Sequence, residues 1–313
     1  MNEESEFASG FVALVGKPNV GKSTIMNRII GVKLSITTNK PQTTRNRILG
    51  VRTFAEKGQI GFVDTPGIHR AKRRLNRTMV KTAVDSLRSV DLVCHVVDTE
   101  QLMDSRSWKQ NKELPDDEAF VIEQYEDDDI PVILVLNKVD RVSPKETLLP
   151  VIAELSEYDP FLEIVPTSAT EGDNMERLVD VILDHLPQGP PLFPEDMLTD
   201  RAERFIAAEY IREAIMKRTH QEVPYGVAVE IERFAEEGDM LKLSAVIHVE
   251  QKGQKGIVIG EGGEMIKEVG SEARQQLEAF FGRDVFLETH VRVERDWSEN
   301  ESTLHRFGYG RET

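Results

Sequence analysis

The stretch GKPNVGKS at residues 16–23 decides the reading of the first half of the chain. It follows the apolar run FVALVG (11–16) and opens a segment, Lys22 to Ile30, whose apolar positions recur at helical spacing. A strand, a glycine-containing turn and a helix form the setting in which the G-x-x-x-x-G-K-[ST] pattern cradles phosphate. Gly16 and Gly21 let the backbone curl so that its N–H groups, helped by the positive helix end, face phosphate oxygens. Lys17, Pro18, Asn19 and Val20 make up the curl, Lys22 reaches the β- and γ-phosphates, and Ser23, followed by Thr24, offers a hydroxyl to Mg2+.

Working outward, IGFVDTPG (60–67), DLVCHVVD (91–98), PVILVLNKVD (131–140) and LEIVPTSA (162–169) are short, β-rich and almost uninterrupted in apolar content, as strands covered on both faces are. Helical spacing over Leu75 to Arg88 and Met175 to Leu186 supplies the alternating helices. The fold class is α/β, a doubly wound and mostly parallel sheet, with 48–64 able to add an antiparallel edge hairpin. LPQGPPLFPEDM (186–197) carries four prolines and separates the halves. The expected organisation is a flexible N-terminus (1–8), a nucleotide domain (9–188), a linker (189–199) and a smaller α+β domain with a C-terminal tail (200–313).

DTPG ends the third strand, at the sheet edge where ligands bind. Asp64 there can hold Mg2+ through water, Thr65 and Pro66 join the nucleotide-binding set, and the Gly67 N–H can meet the γ-phosphate without an obstructing side chain. NKVD chooses the base. A carboxylate at Asp140 accepts two hydrogen bonds from the N1–H and N2–H₂ edge of guanine, whereas adenine has no such pair of donors. Asn137 supports that edge, the stem of Lys138 covers the ring beside Val139, and Thr167, Ser168 and Ala169 stand where a backbone N–H meets guanine O6. GTP is favoured over ATP, which opposes the reading of an ATP-dependent kinase.

With these motifs in place the chain resembles the Era family of ribosome-associated GTPases. The resemblance runs through GKPNVGKST, LSITTNKPQTTRNRI, DTPGI, LVLNKVD, PTSA, VIGEGGEMIKEVG and FGY. It implies that PQTTR (41–45) is the first switch and that Thr44, with Thr43 the alternative, joins Ser23 and Asp64 in holding Mg2+. Where many GTPases place a water-orienting glutamine this chain has Ile68, which can neither donate nor accept a hydrogen bond. His69 beside it reads as a solvent-exposed switch residue in preference to a replacement base. Related GTPases use an asparagine at the position of Asn19 to help hold K+. By that resemblance Mg2+, Lys22 and K+ meet the transition-state charge, Thr44 holds the metal, and main-chain groups such as Gly67 orient water.

In the second domain VIGEGGEMIK places Gly260, Glu261, Gly262 and Gly263 between an apolar, strand-like run ending at Ile259 and a helix from Glu264 to Phe281. That is the arrangement of a KH domain (type II-like), whose G-x-x-G loop clamps about four nucleotides of single-stranded RNA. Lys252, Lys255, Lys267 and Arg274 are the local cations, while the acidic Glu261 works against a phosphate backbone. The resemblance implies that the RNA is the 3′ end of small-subunit ribosomal RNA, that the small ribosomal subunit is the partner, and that a monomer associates peripherally with the inner membrane. A GTP-dependent RNA-binding scaffold with negligible hydrolysis is the alternative, raised by Ile68.

The net charge of −16 excludes a nonspecific nucleic-acid coat. From residue 200 onward 16 basic face 23 acidic side chains, a net of −7, leaving −9 for residues 1–199, so any RNA contact is local. No apolar run approaches a membrane span, the acidic N-terminus does not read as a signal peptide, and the single Cys94 reads as a buried small hydrophobe, all consistent with a cytoplasmic protein. Residues 99–129 are longer than the family's usual link. The first half reads as an exposed insertion and the latter as a helix with Asp116, Asp117 and Glu118 in its first turn. EDDD (126–129) reads as solvated charge, with metal binding the alternative, and Trp108 and Trp297 read as packing or surface anchors.

Overall fold

The computed structural model describes residues 7–126, 129–158 and 161–310. The chain divides into two compact units, Met1–Ser35 with Thr44–Arg70 and Val80–Asp200, and Ile36–Thr43 with Ala71–Met79 and Arg201–Thr313.

The first unit is built from β1 (Ala8–Val15), α1 (Lys22–Ile30), β2 (Ile48–Phe54) and β3 (Gly58–Asp64). Next come α2 (Arg74–Asp85), whose opening turns cluster with the second unit, β4 (Leu92–Asp98), α3 (Thr99–Asp104), α4 (Arg106–Asn111) and α5 (Asp116–Ile122). It closes with β5 (Val132–Asn137), α6 (Leu148–Leu155), β6 (Phe161–Pro166) and α7 (Met175–His185). The sheet runs β2-β3-β1-β4-β5-β6. Every described pairing is parallel except that of β2 with β3, which forms the antiparallel edge hairpin. Strands β3, β4 and β5 are buried along their whole length, which is why their sequences show no alternation. Their carboxyl ends bring Asp64, Asp98 and Asn137 to one edge beside the loop between β1 and α1.

The 99–115 segment departs from the expected exposed loop. It folds into α3 and α4, capped by Asp98 and Ser105, and buries Leu102 and Trp108 with Leu134, Leu136 and Leu155. Its apolar side chains are too few to mark a helix in the sequence yet enough to anchor two short ones. Of EDDD, Asp127 and Asp128 lie outside the described residues. The proline-rich stretch runs along the first unit, where Gln59, 1% exposed, accepts the Leu192 and Phe193 N–H groups at 2.8 Å each. Phe193 meets Phe11 edge-on at 5.7 Å.

The second unit contains α8 (Glu203–Arg218), β7 (Val227–Glu237), β8 (Met240–Val249), α9 (Lys252–Ile259), α10 (Glu264–Phe281), β9 (Asp284–Val293) and α11 (Glu301–Arg306). β8 pairs antiparallel with β7 and parallel with β9. The stretch expected to be strand-like before Gly260 is the helix α9 instead. Reciprocal hydrogen bonds of Gln251 and Gln254 start it, and Gly260 ends it, so cap chemistry overrides the β-branched Ile257-Val258-Ile259. α8 buries Glu209, Arg212 and Glu213 along with its apolar residues. The reason is the 36–43 segment, which belongs to this unit. Ile36 enters the core around Ile211 and Leu243, and the Thr37 N–H donates to Glu213 Oε1 at 2.9 Å. Lys40 donates to the Met216 and Thr219 carbonyls. Arg212 pairs with Glu209 at 2.6 Å and donates to the Thr43 carbonyl. Trp297 is a packing anchor, fully buried against Leu75, Met79 and Tyr309 with its Nε1–H on the Gly226 carbonyl at 3.0 Å.

Candidate active site

The loop of residues 16–23 is closed around its own lysine. Lys22, 5% exposed, donates to the Gly16 carbonyl at 3.1 Å and the Lys17 carbonyl at 2.9 Å. Burial brings its pKa down to about 8, against the opposing pull of Asp64 and Glu118. An ammonium attracts phosphate where a neutral amine does not, so GDP affinity is expected to fall about tenfold between pH 7 and pH 9 as the ligand-free loop loses this proton. Calorimetric titration across that range checks it, and a flat profile would contradict the assignment.

Ser23, Thr44 and Asp64 converge. The Ser23 hydroxyl donates to Asp64 Oδ2 at 2.6 Å and lies 2.9 Å from the Thr44 hydroxyl, which is 3.5 Å from the same carboxylate oxygen. Thr43 points elsewhere, its hydroxyl 2.7 Å from that of Thr38 and donating to the Lys40 carbonyl at 2.7 Å. Asp64 is fully buried, and its other oxygen, Oδ1, has no hydrogen-bond partner among the described residues. Burial pushes this carboxyl up while Ser23, Ser35, Lys22 and Thr44 pull it back. Two hydroxyls and a carboxylate with an open lone pair fit a hard divalent cation such as Mg2+, which takes oxygen ligands and keeps several waters. Ser35, which donates to Asp64 Oδ2 at 2.7 Å, is unmarked in the sequence because a lone serine in a polar loop carries no signal.

Gly67 lies against the loop so closely that a Cβ there would stand 2.6 Å from the Pro18 nitrogen, and only glycine fits. Thr65 donates to the Leu14 carbonyl at 2.8 Å, and the Ile68 N–H reaches the Gly16 carbonyl at 3.1 Å. The Ile68 side chain is fully buried among Val15, Ala83, Val121 and Tyr125, so it faces the core and leaves the phosphate side to main-chain groups. His69 is half-buried, not solvent-exposed as expected; Nδ1 turns back to the Gly67 carbonyl at 3.0 Å.

At the base site Asn137 Nδ2 donates to the Val20 carbonyl at 2.8 Å and Oδ1 accepts from the Ala169 N–H at 3.1 Å, with the Thr167 hydroxyl at 3.5 Å. Asp140 is exposed, and the Ser168 hydroxyl donates to its Oδ1 at 2.5 Å. Lys138 spans from the strand end to the phosphate loop, donating to the Asn19 carbonyl and to Asp98 at 2.6 Å each. The buried Asp98 belongs to none of the sequence motifs, although its place at the end of a buried strand is where such groups gather. Val139 is buried, and Asn19 holds a left-handed φ of +66°.

In the second unit Gly260, Gly262 and Gly263 have φ of +77°, +57° and +82°, and a Cβ on Gly260 would stand 2.6 Å from that of Met265. Glu261 is exposed between α9 and α10, with Lys252 on α9 and Lys267 on α10 also exposed; Lys255 and Ile259 are half-buried. Arg274 is ion-paired with Glu278 at 2.7 Å, which offsets its charge. Ile257, 51% exposed on α9, is an apolar side chain three residues before the glycine loop that the sequence does not mark.

A phosphate loop, a hydroxyl-flanked buried aspartate and a guanine-matched strand end, followed by a glycine-loop unit, define a P-loop GTPase joined to a KH domain. The family profile described as 50S ribosome-binding GTPase matches residues 11–138, and that described as KH domain matches 222–298. The chain is 50% identical over 307 residues to GTPase Era of Geotalea uraniireducens, covering 98% of this chain and 99% of the relative. It is 46% identical over 310 residues to GTPase Era of Xanthomonas campestris pv. campestris, covering 99% and 100%. Its fold matches the crystal structure of Era in complex with MgGDPNP and nucleotides 1506–1542 of 16S ribosomal RNA, with a TM-score of 0.88 and 40% identity over 97% of this chain and 100% of that one. A variant of Aquifex aeolicus Era bound to GDP and AlF4− matches with the same TM-score at 39% identity, with the same coverage. The chain belongs to the Era GTPase family.

Proposed function

We propose that this protein binds and hydrolyses GTP with Mg2+, and that its nucleotide state controls binding of the 3′ end of small-subunit ribosomal RNA during small-subunit maturation. The observation that carries the nucleotide half is the convergence of Ser23, Thr44 and Asp64 beside Lys22. Ser23 and Thr44 would hold the cation directly and Asp64 through water, and the cation supplies charge to the β- and γ-phosphate oxygens. Gly67 and its neighbours orient the attacking water through the main chain, since Ile68 is in the core. The RNA half is supported by the glycine loop of residues 260–263 and by the relative whose structure holds a 16S ribosomal RNA fragment.

Thr43, the residue before Thr44, is fixed by Arg212 of α8. Ordering of Thr44 by metal and γ-phosphate is therefore transmitted along the chain to a segment that belongs to the RNA-binding unit. Crosslinking the full chain to cellular RNA should recover the 3′ end of small-subunit ribosomal RNA at residues 252–274. Recovery of unrelated RNA would refute this half.

Asn19 at the loop crest supports a K+ contribution to the transition state. Phosphate release from GTP is expected to be about tenfold faster in potassium than in sodium buffer, a difference that Asn19→Ala removes. Equal rates in both salts would refute the potassium role. Release near zero in both would favour the scaffold reading.

A further inference from the structure

Behind the phosphate loop lies a buried polar chain that the mechanism above does not use. Lys17, the second residue of the loop, places its ammonium 3.1 Å from Glu118 Oε1 and 3.0 Å from Asp117 Oδ2. The Glu118 side chain is 2% exposed and that of Asp117 is 64% exposed. The other Glu118 oxygen, Oε2, is 3.2 Å from His95 Nε2, and His95 Nδ1 is 2.6 Å from the Tyr125 hydroxyl. A carboxylate only accepts, so Nε2 carries the imidazole proton and Nδ1 accepts from Tyr125. Burial, with the charges of Glu118 and Glu126, pushes the Tyr125 phenol up and keeps it a donor. Burial disfavours the Lys17 ammonium, but Glu118 and Asp117 more than compensate and hold its pKa above the ordinary lysine range.

This chain gives Glu118 a different part from the helix-end charge its sequence position suggests. The Lys17 side chain is anchored to Glu118 while its carbonyl, in the same residue, is one of the two that hold Lys22. Glu118 also opposes the loss of charge at Lys22. α5 therefore contacts Lys17 and acts on Lys22 electrostatically through one buried carboxylate, whose ion-pair and hydrogen-bond partners among the described residues are Lys17 and His95.

We propose that Glu118 is a positioning residue of the phosphate loop, holding the loop's first turn through Lys17 so that it sets how long a guanine nucleotide stays bound without setting how fast bound GTP is cleaved. The inference rests on residues 16–23 being the nucleotide loop. An interaction made equally to GDP and GTP alters affinity and release, whereas one made only in the transition state alters the chemical step.

The test uses the full chain, fluorescently labelled GDP chased by unlabelled GDP, and single-turnover hydrolysis of prebound GTP. Glu118→Gln and Lys17→Met should each speed GDP release about tenfold, the effect of losing one charge-assisted hydrogen bond. The single-turnover rate of Glu118→Gln should stay within about twofold of the parent, and Asp117→Asn, which removes the exposed partner, should change release by less than about threefold. The double variant should release GDP no faster than the faster single one, because the two groups act as a pair. Unchanged release in Glu118→Gln, a fall confined to the hydrolysis step, multiplying effects in the double variant, or an equal effect of Asp117→Asn would each overturn the proposal. If Glu118→Gln fails to fold, Lys17→Met and Asp117→Asn read the same pair from its outer side. Failure of the parent chain to bind GDP would refute the nucleotide pocket itself, whereas unaltered release in the variants of a binding-competent parent refutes only the role of Glu118.

Discussion

Asp140→Asn is expected to weaken GDP binding about a hundredfold while improving binding of the xanthine nucleotide. The Asp140 carboxylate is exposed at the mouth of the base site and oriented by Ser168 at 2.5 Å. In the proposed base site it would accept from both guanine donors, and hydrogen bonds to a charged acceptor contribute about 1.5–3 kcal/mol each. An asparagine retains one acceptor but sets an N–H₂ against the guanine amino group. Xanthine carries a carbonyl there, so the same N–H₂ becomes a matched donor. Calorimetric titration of both nucleotides reads the exchange directly. Undiminished GDP affinity in the variant would remove Asp140 from the base site.

Arg212→Ala should destabilise the second unit by about 3–5 kcal/mol, the cost of stranding a buried charge. Arg212 is 1% exposed and its guanidinium is paired with Glu209, itself 6% exposed. Burial works against its charge, and the adjacent Glu209 outweighs it to hold the pKa above the ordinary range. Alanine leaves the Glu209 carboxylate buried without a cation and the Thr43 carbonyl without its donor. Adding Glu209→Leu to the variant should recover much of the loss, because an apolar side chain has no charge to compensate. Urea unfolding followed through the emission of buried Trp297, in a Trp108→Phe background so that the second unit alone is read, measures both variants, and a loss below about 1 kcal/mol would contradict the account of this pair.

The parts of the molecule legible in the sequence are those where local pattern and tertiary setting agree. α1 and α10 start at the residues their spacing indicates, and buried β3, β4 and β5 appear as unbroken apolar runs. The phosphate loop is legible because its turn chemistry is local, as are the Asn137–Asp140 strand end and the glycine loop. α9 is not, because three consecutive β-branched residues resemble a strand until the Gln251–Gln254 cap and Gly260 are seen to bound a helix. The buried charges of α8 are illegible for another reason. Glu209, Arg212 and Glu213 look like a solvated helix face unless a segment far away in sequence, 36–43, covers them. Glu118 follows the same rule, since its partners Lys17 and His95 come from a loop and a strand that only the fold brings near. Ile68 can be read as unable to orient water, but its burial among Val121 and Tyr125 depends on where α5 lies.

The central claim is that the nucleotide on one unit governs RNA capture by the other, and the most direct measurement is fluorescence anisotropy of a labelled oligonucleotide matching the 3′ end of small-subunit ribosomal RNA. It should be titrated with the full chain loaded either with GDP or with a non-hydrolysable GTP analogue. The account predicts binding about tenfold tighter in the GTP-analogue state, a coupling of ~1.4 kcal/mol. Equal dissociation constants in the two states, or no binding in either, would contradict it.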